Sequence, residues 1–322
     1  MLYAIVLLFP LLLDAAQPDR LTDLVEEMRQ LTFAGDHGAV GRLLPVVLEE
    51  LAKPHPKAPI AWNQIGVYFH TQGDYAEAER AYQRGVRLLV KEGSSPGGLE
   101  LLNLNLASLY LEAGRRPAHA EVLCRLALKQ AIKIYGPGSP ELANFLYTLA
   151  VARQQQGDRE DARRYFQQAL DLAGDSREGK LRQGFILANL AVLLSQDKQW
   201  IQAKDSLLQS IALFEPLLGP SHPDLVPTHL NLARAYEHLK QWTPAGASVA
   251  TAREITESRL GPDHPLMAKI LATSASILRK TGHGREARDL SRRAKAVLAA
   301  QPKDAASQAR VHVADLMLSG RR

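Results

Sequence analysis

Histidines 222 and 264 are the residues of this sequence that most resemble metal ligands. They occupy equivalent places in two similar segments, Gly219–Pro223 and Gly261–Pro265. Helices pack about 8 to 10 Å apart, whereas two ligands of one zinc ion must each come within about 2.1 Å of it. If the two segments join successive helices, the histidines cannot share an ion without help, and no HExxH motif or carboxylate cluster offers that help. Both histidines are predicted to be parts of turns, and no metal or cofactor is predicted.

Cys124 is the only cysteine, so neither an intramolecular disulfide nor a cysteine-based zinc site can form. Its place among apolar residues predicts a buried thiol and not a nucleophile. The sequence also lacks a Gly-rich phosphate loop, a Gly-x-Ser-x-Gly motif and a Ser/His/Asp arrangement on its repeat positions. These features favour a protein that is not an enzyme.

The composition predicts a folded chain with a hydrophobic core. Of 322 residues, 46% are hydrophobic and 23% are charged, which is close to the average for globular proteins. The net charge of +5 is too small for this length to indicate a nucleic acid partner by itself.

One pattern recurs six times along the chain. Each copy has a small anchor residue, a turn seven residues later and, in most copies, an alanine twelve residues later. Apolar residues surround the anchors at i, i+3, i+4 and i+7, as in Trp62, Ile65 and Phe69, which predicts amphipathic helices. The six anchors are Gly66, Ala107, Ala150, Ala191, Ala233 and Ala275.

The segments between the repeats carry signals that end one helix and begin the next. In Gly219–Pro223 and Gly261–Pro265, glycine permits the left-handed conformation that ends a helix, and the second proline suits the first turn of the following helix. Gly136–Pro140 is a variant of the same linker. The sequence therefore predicts pairs of antiparallel helices joined by short linkers.

Trp62-x2-Ile65-Gly66-x2-Phe69 followed by Ala78-x3-Tyr82 resembles the tetratricopeptide repeat. The spacing of about 42 residues and the Gly-x-x-His-Pro linkers are similar to the kinesin light chain subclass. The resemblance implies an all-α, right-handed superhelical solenoid of antiparallel helix pairs. We expect six clear repeats at 58–300, a degenerate capping repeat at 20–53 and a C-terminal cap or tail at 303–322.

The resemblance also implies that the first helices line a concave groove. Kinesin light chain repeats have asparagine beside the anchor and use this groove for peptides, and asparagine can both donate to and accept from a peptide backbone. Alternatively, these amides satisfy a neighbouring helix, as most side-chain hydrogen bonds do. The candidate groove residues are Asn63, Asn105, Tyr147, Asn189, Asn231 and Arg234.

A second candidate surface lies in the last repeat. Residues 279–295 contain seven Lys or Arg against Glu286 and Asp289, a net charge of +5. The stripe lacks aromatic residues, so it offers nucleic acid bases no stacking platform. It is either a solvated cap or a docking site for an acidic protein or anionic lipid. Four cations fall on one stripe of the final helix: Arg285, Arg288, Arg292 and Lys295.

Residues 1–16 resemble a secretory signal peptide, because an apolar run at 2–13 precedes Ala15 and Ala16. This run is shorter than the roughly 20 residues that span a bilayer as a helix. Export to the periplasm or outside the cell is therefore expected. If the run is instead a buried first helix, the protein is cytoplasmic.

Two functions remain open at this point. One is a non-catalytic scaffold that binds a protein or peptide in the groove, with no integral membrane span beyond a possible N-terminal anchor. The alternative is a cytoplasmic regulatory adaptor that docks an acidic partner through its basic last repeat.

Overall fold

The structure is a computed structural model that describes residues 19–33, 36–91 and 98–300. These residues form fourteen α-helices and no strand, which confirms the all-α prediction. The segments predicted as a signal peptide (1–16) and as a C-terminal cap or tail (303–322) lie outside the described residues. The helices are α1 (Arg20–Phe33), α2 (His37–Glu50), α3 (Ala58–Thr71), α4 (Tyr75–Lys91), α5 (Leu99–Glu112), α6 (Pro117–Tyr135), α7 (Leu142–Gln155), α8 (Arg159–Leu172), α9 (Arg177–Gln196), α10 (Trp200–Leu218), α11 (Leu225–His238), α12 (Trp242–Arg259), α13 (Pro265–Lys280) and α14 (Gly284–Ala299).

The chain divides into two compact units, Met1–Ala173 and Gly174–Arg322. In the first unit the helix pairs are α1–α2, α3–α4, α5–α6 and α7–α8, and each pair packs on the next. In the second unit the pairs α9–α10, α11–α12 and α13–α14 do the same. Each unit is therefore an array of stacked helix pairs, as the repeat pattern predicts.

Close packing within a pair depends on small residues of the first helix, such as the anchor Gly66 and, seven residues before the anchor Ala191, Gly184. A Cβ atom added to Gly66 of α3 would lie 2.4 Å from the Tyr82 ring of α4. In the second unit, a Cβ added to Gly184 of α9 would lie 2.6 Å from the Phe214 ring of α10. The Ser210 hydroxyl also donates a 2.8 Å hydrogen bond to the Gly184 carbonyl oxygen. Small residues thus let the large ring of the second helix reach the first helix.

The histidines of the His-Pro linkers are parts of turns, as predicted. Nδ1 of His264 accepts a hydrogen bond from the Leu266 amide at 3.2 Å and caps α13, and burial lowers the pKa of this imidazole. Nδ1 of His222 accepts from the Asp224 amide at 3.3 Å. The same geometry recurs at His55, whose Nδ1 accepts from the Lys57 amide at 3.1 Å. An imidazole next to a proline therefore supplies an acceptor for an amide that begins the next helix.

One linker is shorter than the sequence indicates. The glycine and polar residues at 174–180 read as a linker, but α9 begins at Arg177. The hydroxyl of Ser176 accepts a 3.0 Å hydrogen bond from the Gly179 amide, which is the geometry of a helix N-cap. The cap allows the helix to begin three residues before the polar stretch ends.

The turn inside each pair has a left-handed residue at a fixed place. Four repeats use glycine there, whereas the fourth and fifth repeats use Lys198 and Lys240, with φ of 60° and 59°. This conformation brings Cβ of a non-glycine residue close to the following carbonyl oxygen, at a cost of roughly 1 to 2 kcal/mol. The two lysine turns are therefore strained relative to the glycine turns.

Replacing Lys240 by Gly is expected to raise the free energy of unfolding of the second unit by about 0.5 to 1 kcal/mol. The gain is smaller than the full strain because glycine also makes the unfolded chain more flexible. Urea denaturation followed by circular dichroism measures the change. As a control, Lys295→Gly, within helix α14, should lose about 1 kcal/mol. Equal losses in both variants would contradict the expectation.

Two further observations concern the described residues. Cys124 is fully buried, and burial raises the pKa of its thiol, which agrees with the prediction of an unreactive side chain. No helix in the described ranges combines the length and the apolar character that a membrane-crossing segment needs.

Candidate functional site

The first helices of successive pairs lie side by side within each unit. In the first unit α3 contacts α5 and α5 contacts α7, and in the second unit α9 contacts α11 and α11 contacts α13. We call the surface that these helices present in each unit its first-helix face. Five of the six candidate groove residues are polar side chains of these first helices, while Tyr147 belongs to the core.

In the first unit the candidate amides bond to each other. Nδ2 of Asn105 donates a 2.7 Å hydrogen bond to Oδ1 of Asn63 on the preceding first helix. Asn105 is only 3% exposed, whereas Asn63 is half-buried. For this pair the structure shows the alternative that the sequence left open, in which an amide satisfies a neighbouring helix.

Tyr147 lies in the core of the first unit and not on its surface. The side chain is fully buried, and its ring centroid is 6.0 Å from that of Phe166 on α8. Burial raises the pKa of its hydroxyl, with a further contribution from the charge of Glu112. Helical periodicity placed this residue one position from the packing stripe, and the large ring turned inward to fill the core.

A buried contact between a histidine and a glutamate, which the repeat pattern did not predict, links α3 and α5. Nε2 of His70 lies 3.3 Å from a carboxylate oxygen of Glu112, and their side chains are 1% and 5% exposed. The Tyr82 hydroxyl lies 3.4 Å from Nδ1 of the same imidazole. Burial raises the pKa of Tyr82 well above its usual value. The pair is therefore almost completely shielded from solvent.

The second unit keeps its candidate residues closer to solvent. Asn189, Asn231 and Arg234 are all half-buried. Nδ2 of Asn189 donates to the Phe185 carbonyl oxygen one turn earlier at 3.0 Å. Burial lowers the pKa of Arg234, and the nearby carboxylate of Glu237 opposes that shift. Arg234 is thus a partly dehydrated cation, which attracts an anionic group more strongly than a fully solvated one does.

Glu237 connects the last two repeats of the second unit. Its Oε1 accepts a 2.6 Å hydrogen bond from the Ser276 hydroxyl and lies 3.1 Å from Nζ of Lys280. On the same unit, the ring of Trp200 stacks on that of His238 at 3.7 Å between centroids. The Trp200 ring therefore makes a contact within the fold.

The His70–Glu112 and Glu237–Lys280 contacts share one position in the repeat. His70 and Glu237 both lie four residues after an anchor, and their partners Glu112 and Lys280 both lie five residues after the next anchor. Side chains of complementary chemistry at these two offsets in consecutive repeats are the signal that the sequence offers. The candidate groove residues lie within three places of the anchors and so do not include these offsets.

The basic stripe of α14 is exposed throughout. Arg285, Arg288, Arg292 and Lys295 all lie in solvent. The guanidinium of Arg292 lies 2.6 Å from a carboxylate oxygen of Asp289, one turn earlier, and both side chains are exposed. Such a surface pair contributes little to stability. Residues 284–299 contain five Lys or Arg against Glu286 and Asp289, so the helix carries a net positive charge.

Within residues 19–33, 36–91 and 98–300, no group of three or more His, Cys, Asp or Glu side chains is placed to bind a metal ion. This finding concerns geometry alone.

Comparison with curated proteins gives no significant match. Solved structures with the same fold include NprR in complex with its cognate peptide NprX, at 15% identity and a TM-score of 0.63, covering 92% of this chain and 87% of that one. A Rap protein complexed with competence and sporulation factor matches at 14% identity and a TM-score of 0.60, covering 91% of this chain and 90% of that one.

A putative kinesin light chain from P. anserina with nearly identical TPR-like repeats is 22% identical, with a TM-score of 0.51 over 61% of this chain and 93% of that one. At these identities the likeness shows the fold alone. Sequence models give the family: one tetratricopeptide repeat model matches residues 99–175, 184–246 and 228–300, and another matches 47–91. With more than half of its residues matched by one model, the chain belongs to the tetratricopeptide repeat family.

Proposed function

We propose that this chain is a non-catalytic scaffold that binds a protein or peptide segment on the first-helix face of its second unit. The observation that carries the proposal is the half-buried row formed by Asn189, Asn231 and Arg234. An amide can serve both the donors and the acceptors of an extended backbone, and Arg234 adds a partly dehydrated cation. Such a row suits a peptide that carries a carboxylate.

The comparisons support this class of function. NprR and the Rap protein, which share the fold, were solved with a peptide and with a factor bound. Membership of the tetratricopeptide repeat family points in the same direction. The first unit contributes less to the proposed site, because Asn105 already bonds to Asn63 and Tyr147 is buried.

Panning a display library of short random peptides against the full chain tests the proposal. Isothermal titration then compares the selected peptide with the wild type and with Asn231→Ala/Arg234→Ala. The double variant is expected to bind at least about tenfold more weakly, because hydrogen bonds that involve a charged group contribute about 1.5 to 3 kcal/mol.

The matched control is Gln167→Ala/Gln168→Ala on α8, which removes two exposed amides from a second helix. This control should bind the peptide as the wild type does. If Asn231→Ala/Arg234→Ala keeps full affinity for every selected peptide, the proposed site is wrong.

The same titrations distinguish the proposed function from the alternative. In the alternative, the chain is a cytoplasmic regulatory adaptor that docks an acidic partner through the basic stripe. The exposure of all four stripe cations favours that candidate. In that case Arg288→Glu/Arg292→Glu, and not Asn231→Ala/Arg234→Ala, would abolish binding. Affinity would also fall steeply as the salt concentration rises, because exposed charges are screened.

A further inference from the structure

The outer surface of α6 in the first unit exposes large apolar side chains. Val122, Leu126 and Ile132 are 63%, 46% and 39% exposed. Single exposed apolar residues are normal on a protein surface, but several on one face form a patch that indicates an interaction.

The inward face of α6 explains why these residues point outward. Ala120, Cys124, Ala127 and Ala131 are fully buried. Helix α6 packs against α5, its partner in the pair, and against α7 of the next pair. At about 100° per residue, the exposed residues of α6 cover an arc of about 140° on the opposite side. Val122, Leu126 and Ile132 lie inside this arc, which we call the outer face of α6.

Cations alternate with the apolar residues across the outer face. Arg125, Lys129 and Lys133 are exposed, and residues 122–135 contain no Asp or Glu. The nearest carboxylate on this helix, Glu121, is 14% exposed and lies 2.8 Å from Arg125 and 3.3 Å from Arg153. The outer face therefore combines apolar groups with positive charge that is only partly neutralised.

The preceding second helix, α4, continues the same surface chemistry. Val90 is 64% exposed, and Arg84 and Arg87 are also exposed. Residues 80–91 contain no Asp or Glu. Two second helices of the first unit thus present apolar and cationic side chains without an acidic residue in these segments.

These features disfavour three of the four possible occupants. A second copy of this chain would place like charges opposite each other. A nucleic acid would leave Val122 and Leu126 without apolar contacts and would find no aromatic side chain for stacking, since none of the exposed residues of α6 is Phe, Tyr or Trp. Protein interfaces favour aromatic residues and disfavour lysine, whereas this face has Lys129 and Lys133 and no aromatic.

We propose that the outer face of α6, together with the exposed Val90, Arg84 and Arg87 of α4, docks on an anionic phospholipid surface. Val122, Leu126 and Ile132 enter the boundary between headgroups and acyl chains, and Arg125, Lys129 and Lys133 extend their stems to reach lipid phosphates. Docking of this kind needs no pocket and no spanning helix. It uses a surface other than the proposed peptide site, so either activity can exist without the other.

Sedimentation of the full chain with vesicles tests this inference. We expect binding to phosphatidylcholine vesicles that contain about one-third phosphatidylserine, and much weaker binding to phosphatidylcholine alone. Lys129→Glu/Lys133→Glu should lower the partition coefficient by at least about 30-fold, because each lysine near an anionic surface contributes about a factor of five to ten. Val122→Ser/Leu126→Ser, which leaves the charge unchanged, should lower it by about tenfold.

Two matched controls should bind vesicles as the wild type does. Ile201→Ser/Leu208→Ser removes exposed apolar residues from α10, and Arg288→Glu/Arg292→Glu reverses two charges of the basic stripe. Circular dichroism melting checks that every variant is folded. The proposal is overturned if the α6 variants bind as the wild type does, if the stripe variant loses binding equally, or if vesicle charge has no effect.

A free poly-glutamate peptide tests whether the surface binds an acidic protein instead of a phospholipid. If the wild type ignores the vesicles but binds this peptide through Lys129 and Lys133, the surface is a protein-docking site and the lipid proposal is wrong. Binding of a library-selected peptide to Lys129→Glu/Lys133→Glu should remain unchanged, so a failure here is separate from a failure of the proposed scaffold function.

Discussion

Replacing Glu112 by Ala is expected to lower the free energy of unfolding of the first unit by about 1 to 3 kcal/mol. Glu112 and His70 are almost completely buried, and Nε2 of His70 lies 3.3 Å from the Glu112 carboxylate, so water cannot easily replace this contact. Removing the carboxylate deprives the imidazole of this contact and opens space between α3 and α5. A buried polar group that loses its partner pays the cost of its lost hydration.

Hydrogen exchange of the α3 and α5 amides measures this effect locally. A local readout is preferable because the chain has two units, so one global unfolding midpoint mixes their stabilities. A loss of protection below about 1 kcal/mol would contradict the expectation, since exposed ion pairs contribute that little.

Two further variants separate charge from packing at this pair. Glu112→Gln keeps the volume and removes the charge, so it should lose less stability than Glu112→Ala. His70→Leu/Glu112→Leu replaces both partners with apolar residues and should recover much of the loss, as such replacements of buried pairs often do. The Tyr82 hydroxyl, 3.4 Å from His70, limits that recovery because it loses a neighbour.

Replacing Gly66 by Ala is expected to destabilise the first unit by about 1 to 3 kcal/mol, although alanine is the anchor in all five of the remaining repeats. The new Cβ would lie 2.4 Å from two ring carbons of Tyr82. Tyr82 is fully buried, so its ring cannot move away without displacing other core residues. Urea denaturation and hydrogen exchange of the α3–α4 amides measure the loss.

Two variants test whether the clash is the cause. Gly66→Ala/Tyr82→Leu should be more stable than Tyr82→Leu with Gly66 kept, because the fourth repeat has Ala191 and Leu207 at the same places and both are fully buried. Gly246→Ala, in helix α12, should gain about 0.5 to 1 kcal/mol, since an added Cβ there meets none of the described atoms within 4 Å. If Gly66→Ala is as stable as the wild type, the close contact does not limit packing.

Much of the fold followed from the sequence because its signals are local. The spacing of small anchors determines where two helices can approach, and the Gly and Pro residues of the linkers determine where helices end. The turns of the fourth and fifth repeats, where Lys198 and Lys240 replace glycine, were still identified from their place in the repeat. Both lysines adopt the left-handed conformation. Their place in the repeat therefore determines the backbone conformation there, although lysine itself disfavours it.

The candidate site was less predictable because it depends on contacts between repeats. Periodicity tells which side of a helix a residue occupies, but not which side chain of the next repeat lies opposite. Asn105 and Asn231 hold the same repeat position, yet Asn105 is buried against Asn63 while Asn231 is half-buried. The residue at the neighbouring place differs, with Asn63 in the first repeat and Ala188 in the fourth, and this difference decides whether the amide has a partner across the helices.

The bond between Asn105 and Asn63 also bears on how long a ligand the proposed site would accept. With the amides of the first unit bonded to each other, the proposed contacts run from Asn189 on α9 to Asn231 and Arg234 on α11. Two neighbouring helices lie about 8 to 10 Å apart. An extended chain advances about 3.3 Å per residue, so this row matches a segment of about three residues.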